Sequence, residues 1–295
     1  SPVPRSGRAC PPFRRLQRKQ LPVRLLLIGD VVGKPGRQIA VRAVPGLRIA
    51  EELDFVVANA ENAAGGSGLT PEAFQELLAG GVDCITMGDH IYRRREIFSL
   101  LERDERIVRP ANYPSEAPGR PFTVLRTKGQ VQVAVLSLLG RVFMPPVDCP
   151  LQAADRVLAA LPSGARVILL DYHAEATSDK QIMGRYLDGR VSAVLGTHTH
   201  VATADERILP HGTAFQCDVG MTGPHESIIG RRIERVLETT RTFRPTHFEV
   251  ATGDCRLHGS IVDVEPETGR ASAIRRIAVD QAAADRLASA ASRAP

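Results

Sequence analysis

The sequence predicts an α/β fold carried by one domain over roughly residues 21–280. Three observations lead there. From Val23 onward, short apolar runs of strand length alternate with segments of helical period. No linker-like stretch interrupts that alternation and no internal repeat is visible. Near the end the pattern changes to three consecutive strand-like runs, which adds antiparallel strands to an α/β core.

Val23–Gly29 is an apolar strand, and Pro35 opens a helix to about Glu52 in which Pro45 marks a kink or break. Phe55–Ala58 is a short buried strand. The glycine-rich loop Gly65–Gly68 leads to Thr70-Pro71-Glu72, an N-cap followed by proline at the first helical position. Cys84–Met87 is the third strand, with a helix near Arg93–Leu101. After a loop around Pro110–Pro118, Phe122–Arg126 and Val131–Leu136 read as paired strands turning at Lys128-Gly129. Leu151–Leu161 is helical, Val167–Leu170 a strand, Glu175–Leu187 a helix and Val191–Leu195 a strand. Ile208–Leu209 and Ala214–Gln216 suit a hairpin, and Glu226–Thr240 a helix. Thr246–Val250, Arg256–Val264 and Ser272–Ile277 form the closing meander, turning at Gly253-Asp254 and Glu265–Gly269. The Ala-rich tail 281–295 is helical or frayed.

Composition excludes several classes. With 43% hydrophobic and 24% charged residues the chain is neither disordered nor collagen-like, and no apolar run reaches the length of a membrane helix. The net charge of +5 belongs to the first 20 residues, where Arg5, Arg8, Arg14, Arg15, Arg18 and Lys19 meet no acid; residues 21–295 sum to −1. That extension is expected to be disordered, and the near-neutral body does not indicate stable nucleic-acid binding. Nine Phe, four Tyr and no Trp leave little for a base-stacking platform. Cys10, Cys84, Cys149, Cys217 and Cys255 are scattered, without a CxxC pair, as in a reduced cytoplasmic protein.

The informative feature is what ends each strand. LLLIG runs into Asp30, FVVANA into Glu61-Asn62, CITMG into Asp89-His90, VILLDY into His173, and AVLGT into His198-Thr199-His200. Ligands of open α/β sheets bind at the carboxyl ends of strands, so these residues share a place to converge. Singly, each has a plain explanation: a carboxylate after a strand forms turns or caps, and one buried histidine is a core residue. Two histidines spaced i, i+2 on a strand face one side, a modest ligand signal. Together the carboxylates and imidazoles suit divalent transition metals. Asp30, Glu61 and Asp89 leave two divalent cations with a net charge of +1, attractive to a phosphate ester.

At these residues the sequence resembles the calcineurin-like metallophosphoesterases and, within them, the YmdB-type bacterial phosphodiesterases. The segments that carry the resemblance are IGDVVGKPGR, ANAENAAGGSGLT, ITMGDHIYRRREI, RPANYP, LLGRVFM, DYHAEATSDK, GTHTHVATAD and DVGMTGPHESIIG, spread over residues 23–235. The resemblance implies a four-layer α/β/β/α sandwich of two mixed sheets. It implies a dinuclear centre of iron or manganese and hydrolysis of phosphodiesters, including 2′,3′- or 3′,5′-cyclic nucleotides. Carried over position by position, Asp30, Glu61 and His200 hold one ion, and Asp89, His173 and His198 complete the second, with Glu61 bridging. Asn62 lies near solvent or phosphate and His90 is the catalytic histidine. Two departures matter. The Asp-x-His start of many calcineurin-like enzymes is lost at Val32, as in the YmdB-type group. The usual Gly-Asn-His reads Gly88-Asp89-His90, which adds a negative charge expected to tighten metal binding, or to favour a higher-valent ion, at some loss of electrophilicity.

The implied chemistry is in-line attack on phosphorus by water activated between two ions, with His90 donating to the leaving oxygen or orienting the phosphate. Arg141 and His225 are candidate substrate contacts. Of Arg93, Arg94 and Arg95 at least two face solvent, and His211, His247 and His258 are structural or exposed. An amidohydrolase barrel is disfavoured because its His-x-His belongs on the first strand. A dinucleotide fold is disfavoured because GDVVGKPG has the wrong glycine spacing. A regulatory or scaffolding protein that keeps the metal site and acts through RNA or a protein partner is the remaining alternative. A homo-oligomer is compatible with the sequence.

Overall fold

The computed structural model describes residues 21–293, so the basic extension lies outside the described residues. In chain order the first half runs β1 (Val23–Ile28), β2 (Asp30–Val31), α1 (Gly33–Ala50), β3 (Phe55–Asn59), α2 (Pro71–Ala79), β4 (Cys84–Thr86), a 3-10 turn at Ile91–Arg93, α3 (Ile97–Arg103), β5 (Ile107–Val108), β6 (Phe122–Arg126) and β7 (Gln132–Leu139). The second half runs α4 (Pro150–Ala160), β8 (Val167–His173), α5 (Thr177–Tyr186), β9 (Ala193–Thr197), β10 (Arg207–Ile208), β11 (Ala214–Gln216), β12 (Met221–Pro224), α6 (Ile233–Thr242), β13 (Cys255–Val264), β14 (Ala271–Asp280) and α7 (Gln281–Ala291).

The strands form two mixed sheets. One runs β2-β12-β13-β1-β3-β4-β5, with β14 paired to β13; the other runs β10-β11-β9-β8-β7-β6. Strand alternation divides the apolar residues between layers. Leu25, Leu27, Phe55 and Val57 of the first sheet meet Val133, Val135, Val167 and Leu169 of the second in the core between the sheets. Leu26, Ile28 and Val56 point the other way, into a core shared with α1, α2, α3 and α7. Leu136, Ile168 and Leu170 pack under α4 and α5. The result is the four-layer α/β/β/α sandwich, with the central strands of both sheets buried on two faces, which is why they read as continuous apolar runs.

Several element readings need correction. α1 passes through Pro45 without ending, and Pro45 lies on the exposed face of the helix. The helix near Arg93–Leu101 is split into the 3-10 turn and α3. Thr246–Val250 is no strand; β13 already has β1 and β12 along one edge and β14 along the other, and Val250 makes only a bridge to Arg231. The helix expected from Glu226 begins at Ile233, because Ile229 (φ 45°) and Gly230 (φ 93°) are left-handed. The alanine-rich end forms α7, whose N-cap Asp280 Oδ1 accepts from Ala283 N at 2.7 Å. It lies across α1, where Gly46 leaves room for Leu287.

Candidate metal centre

The strand ends converge at one place on the seam between the sheets. The three carboxylates expected as ligands come from the first sheet: Asp30 begins β2, Glu61 follows β3 and Asp89 follows β4. Every facing imidazole comes from the second: His173 ends β8, and His198 and His200 follow β9. One ligand atom each from Glu61, Asp89, His173 and His198 lie within 4.8 Å of one another. His173 Nε2 is 3.3 Å from Glu61 Oε2 and 3.2 Å from Asp89 Oδ1, and His198 Nδ1 is 3.0 Å from His173 Nε2. On the other side of Glu61, His200 Nε2 is 3.6 Å from Asp30 Oδ1. Asn62 Nδ2 lies 3.1 Å from Glu61 Oε1 and 3.3 Å from His200 Nε2.

Local backbone explains the convergence. His198 (φ 96°) and His200 (φ 65°) are left-handed, so they sit on a turn rather than on a strand, and the shared-face argument for His-x-His does not apply. The turn is held by buried Asp218, whose Oδ2 accepts from Thr199 N at 3.0 Å, from Thr199 Oγ1 at 2.8 Å and from Lys180 Nζ at 2.8 Å. Gly88 lies so close to the cluster that a β-carbon there would overlap Glu61 Oε2 and the His173 ring.

The donor set fits a cation on two observations. Asp30 Oδ1 is buried and has no hydrogen-bond partner among the described residues, a costly state for a carboxylate oxygen unless a cation meets it. Each imidazole turns one nitrogen inward and gives the other an acceptor: Thr197 Oγ1 for His173 Nδ1 (2.8 Å), Glu175 Oε2 for His198 Nε2 (3.2 Å) and the Ile229 carbonyl for His200 Nδ1 (3.0 Å).

The carboxylates and imidazoles shift one another's pKa. Burial pushes Glu61 up, but His173 and His90 outweigh it and hold the carboxyl well below its ordinary range. Burial raises Asp30 and Asp89 too, and their histidine neighbours bring both below normal. Burial disfavours charge on His173, yet Glu61, Asp89 and Asp30 raise it well above normal. His198 is lowered by burial and by His173.

His90 stands beside the cluster, with Nδ1 2.8 Å from Asn62 Oδ1 and 3.1 Å from Glu61 Oε1; the hydrogen bond to Glu61 raises its pKa. The site opens into a cleft of about 320 Å³ lined by Val32, Gly66, Glu175, Ile229 and Arg231 together with the site residues. The other candidate contacts lie elsewhere. Arg141 does not line the cleft; its backbone N–H donates to Asp179 Oδ2 at 2.8 Å. His225 Nδ1 donates to the Gly223 carbonyl at 3.0 Å, and its ring lies against His258 with centroids 4.5 Å apart.

Two cleft residues were missed by sequence reasoning. Glu175 had a signal, because it stands two residues after His173 inside DYHAEATSDK. Arg231 had none. Its guanidinium is held by the backbone carbonyls of Phe248 (2.8 Å), Gly65 (3.3 Å) and Gly66, and among the described residues no carboxylate pairs with it.

A family model described as YmdB-like protein matches residues 26–277. A 2′,3′-cyclic-nucleotide 2′-phosphodiesterase from Bacillus subtilis (strain 168) is 45% identical over 258 residues, covering 88% of this chain and 97% of that protein. The crystal structure of a hypothetical protein from Thermus thermophilus superposes with a TM-score of 0.82 at 42% identity, covering 88% of this chain and 99% of that one. A phosphatase structure from Mycoplasma pneumoniae gives 0.82 at 29% identity over 88% of this chain and 95% of that one.

Proposed function

This chain belongs to the YmdB-like family, and on that premise we propose that it is a metal-dependent phosphodiesterase that hydrolyses 2′,3′-cyclic nucleotides. The observation that carries the reading is the meeting of three carboxylates from one sheet with three imidazoles from the other at the floor of a cleft. Asp30, Glu61 and His200 would hold one ion and Asp89, His173 and His198 a second, with Glu61 shared. Iron and manganese suit this mixed oxygen and nitrogen set. When bound, the ions supply Lewis acidity toward phosphate and lower the pKa of water.

The remaining work falls to the chain itself. Asn62, held between Glu61, His200 and His90, orients the phosphate through its amide. His90, whose pKa is raised by Glu61, carries the proton that the leaving 2′ oxygen takes as its bond to phosphorus breaks, while water oxygen becomes the new phosphate oxygen. Arg231 supplies a cation on the cleft wall for the phosphate or the nucleoside.

The test is elemental analysis of protein purified without chelator or a metal-affinity step, followed by hydrolysis assays on 2′,3′- and 3′,5′-cyclic nucleotides. About two ions per chain and turnover of the 2′,3′-cyclic substrates to 3′-nucleotides are expected. A chain that binds no iron or manganese after reconstitution, or binds them without turnover, overturns the reading.

A further inference from the structure

We propose that a cavity beside α4 is a second ligand site, which takes a small organic monophosphate of the mononucleotide class on the guanidinium of Arg109.

The cavity lies where the outer edges of the two sheets meet. β5 ends the first sheet and β6 the second, and Val108 bridges to Arg120 between them. The segment joining β5 to β6 and one face of α4 enclose about 550 Å³. No residue is shared between this lining and that of the metal cleft, so the site stands independently of the metal reading.

Arg109 gives the reason to expect an anion. It is only 4% exposed, and the loop wraps it: Nε donates to the carbonyls of Ala117 and Gly119, each at 3.1 Å, and Nη1 to that of Pro110 at 2.8 Å. Carbonyls accept protons but cancel no charge. Among the described residues no carboxylate pairs with Arg109, and burial pushes its pKa down from the ordinary value. A buried cation without a counter-charge is costly. Fixing the loop does not require one, because a neutral donor would tie the same carbonyls.

The guanidinium also has donors to spare. It carries five N–H groups in a planar fork. Nη2 has no partner among the described residues, yet it is not sealed in as a buried unpaired atom. With so little of the residue exposed, the open side of the fork is the cavity that Arg109 lines. A phosphate there would meet two parallel N–H groups and supply the missing charge.

The rest of the cavity suits the body of such a ligand. Ala153 and Val157 of α4 give an apolar wall, and Tyr113 and Phe122 line it with aromatic surface against which a base can pack. Arg156, one turn along α4 from Ala153, adds a second cation. Its charged partner is Asp148 at 3.7 Å, with both side chains more than half exposed, a surface pair that an incoming phosphate can replace at little cost. A cavity of this size holds a nucleotide rather than a bare ion.

The experiment titrates the purified, metal-loaded enzyme calorimetrically with adenosine 3′-monophosphate, inorganic phosphate and adenosine. The parent is expected to bind the mononucleotide, and to bind phosphate or adenosine at least about tenfold more weakly. Arg109→Lys, which keeps the charge and loses the fork, should weaken the mononucleotide by about tenfold. Ala160→Trp should abolish this binding event, because Ala160 is an exposed lining residue at the end of α4 and the indole fills the cavity. Metal content and turnover of Ala160→Trp should match the parent, which separates the site from the cleft. Thermal melts check folding; should Arg109→Lys not fold, Arg156→Ala, expected to weaken binding, takes its place. A parent that binds no adenosine 3′-monophosphate at millimolar concentration, or an event that Ala160→Trp leaves intact, overturns the site. Phosphate binding as tightly as the mononucleotide overturns the ligand class, and adenosine binding as tightly overturns the role of Arg109. A parent without metal or turnover that still shows the event removes the phosphodiesterase reading and leaves this site standing.

Discussion

Lys180 Nζ donates to Asp218 Oδ2 at 2.8 Å, and each of the two side chains is only 1% exposed. The pair lies directly beneath the His198-Thr199-His200 turn, because the same Asp218 oxygen accepts both the backbone N–H and the hydroxyl of Thr199. Removing one member of a buried pair leaves the other charge without compensation. Lys180→Met is therefore expected to destabilise the fold by about 3–5 kcal/mol and to weaken metal retention through the turn. Urea unfolding measures the first effect; a loss under about 1 kcal/mol would show the pair to be dispensable.

Asp89 is the third carboxylate of the cluster, beside Asp30 and Glu61. Asp89→Asn removes one negative charge from a cluster in which Asp89 Oδ1 is 3.2 Å from His173 Nε2. Metal affinity should fall, by roughly tenfold if the charge contributes about 1.4 kcal/mol. Chelator competition reads this directly, and a variant that binds more tightly than the parent contradicts the electrostatic account.

His90 touches Glu61 and Asn62 and stands outside the cluster of Glu61, Asp89, His173 and His198. His90→Ala should keep its metal while turnover falls by about 10²–10⁴-fold, the usual worth of a general acid. Elemental analysis beside steady-state kinetics separates the two. Unchanged turnover removes His90 from the mechanism.

His258 gives a pH dependence of stability. Burial, then the neighbouring His225 and Arg256, push it down to about 4 from its ordinary 6.5. Its Nε2 and that of His225 are buried without hydrogen-bond partners among the described residues. Between those values the unfolded chain takes up a proton that the native ring refuses, so stability is full above pH 6.5 and is lost as pH falls toward 4. Urea midpoints at pH 7 and pH 5 should fall further for the parent than for His258→Leu; parallel losses would exonerate the histidine.

Arg231 distinguishes substrate contact from a loop clip. Its carbonyl partners belong to the Gly65–Gly66 loop and to Phe248, so it also ties that loop to the segment before β13. Arg231→Met should raise KM for a cyclic nucleotide by about tenfold, the size of one charge-assisted hydrogen bond of about 1.5 kcal/mol, with metal content unchanged. An altered melting temperature with KM intact would leave Arg231 as a clip only.

The legible part of this molecule was its strands and what terminates them. Leu25 to Ile28 and Val167 to Leu170 are buried on both faces, so they stand out as apolar runs, and the polar residues Asp30 and His173 stand at the strand ends where the site lies. The left-handed backbone at His198 and His200 has no compositional mark, so the turn that aims the two rings was not legible. The loop before α6 was misread as helix because Ile229 gives no warning of its positive φ. The setting of Arg231 depends on chain segments far apart in sequence, a distance that local patterns do not encode.

The division of ligands between the two sheets has a mechanical consequence. Neither layer holds a complete binding site: one presents anionic oxygens, the other nitrogen lone pairs. A bound ion would act as a bolt through the seam, and its grip would gauge how well the layers are aligned. Trimming an interlayer residue such as Leu27 or Leu169, which touches no ligand, would let the sheets slip and would register first as leakage of metal.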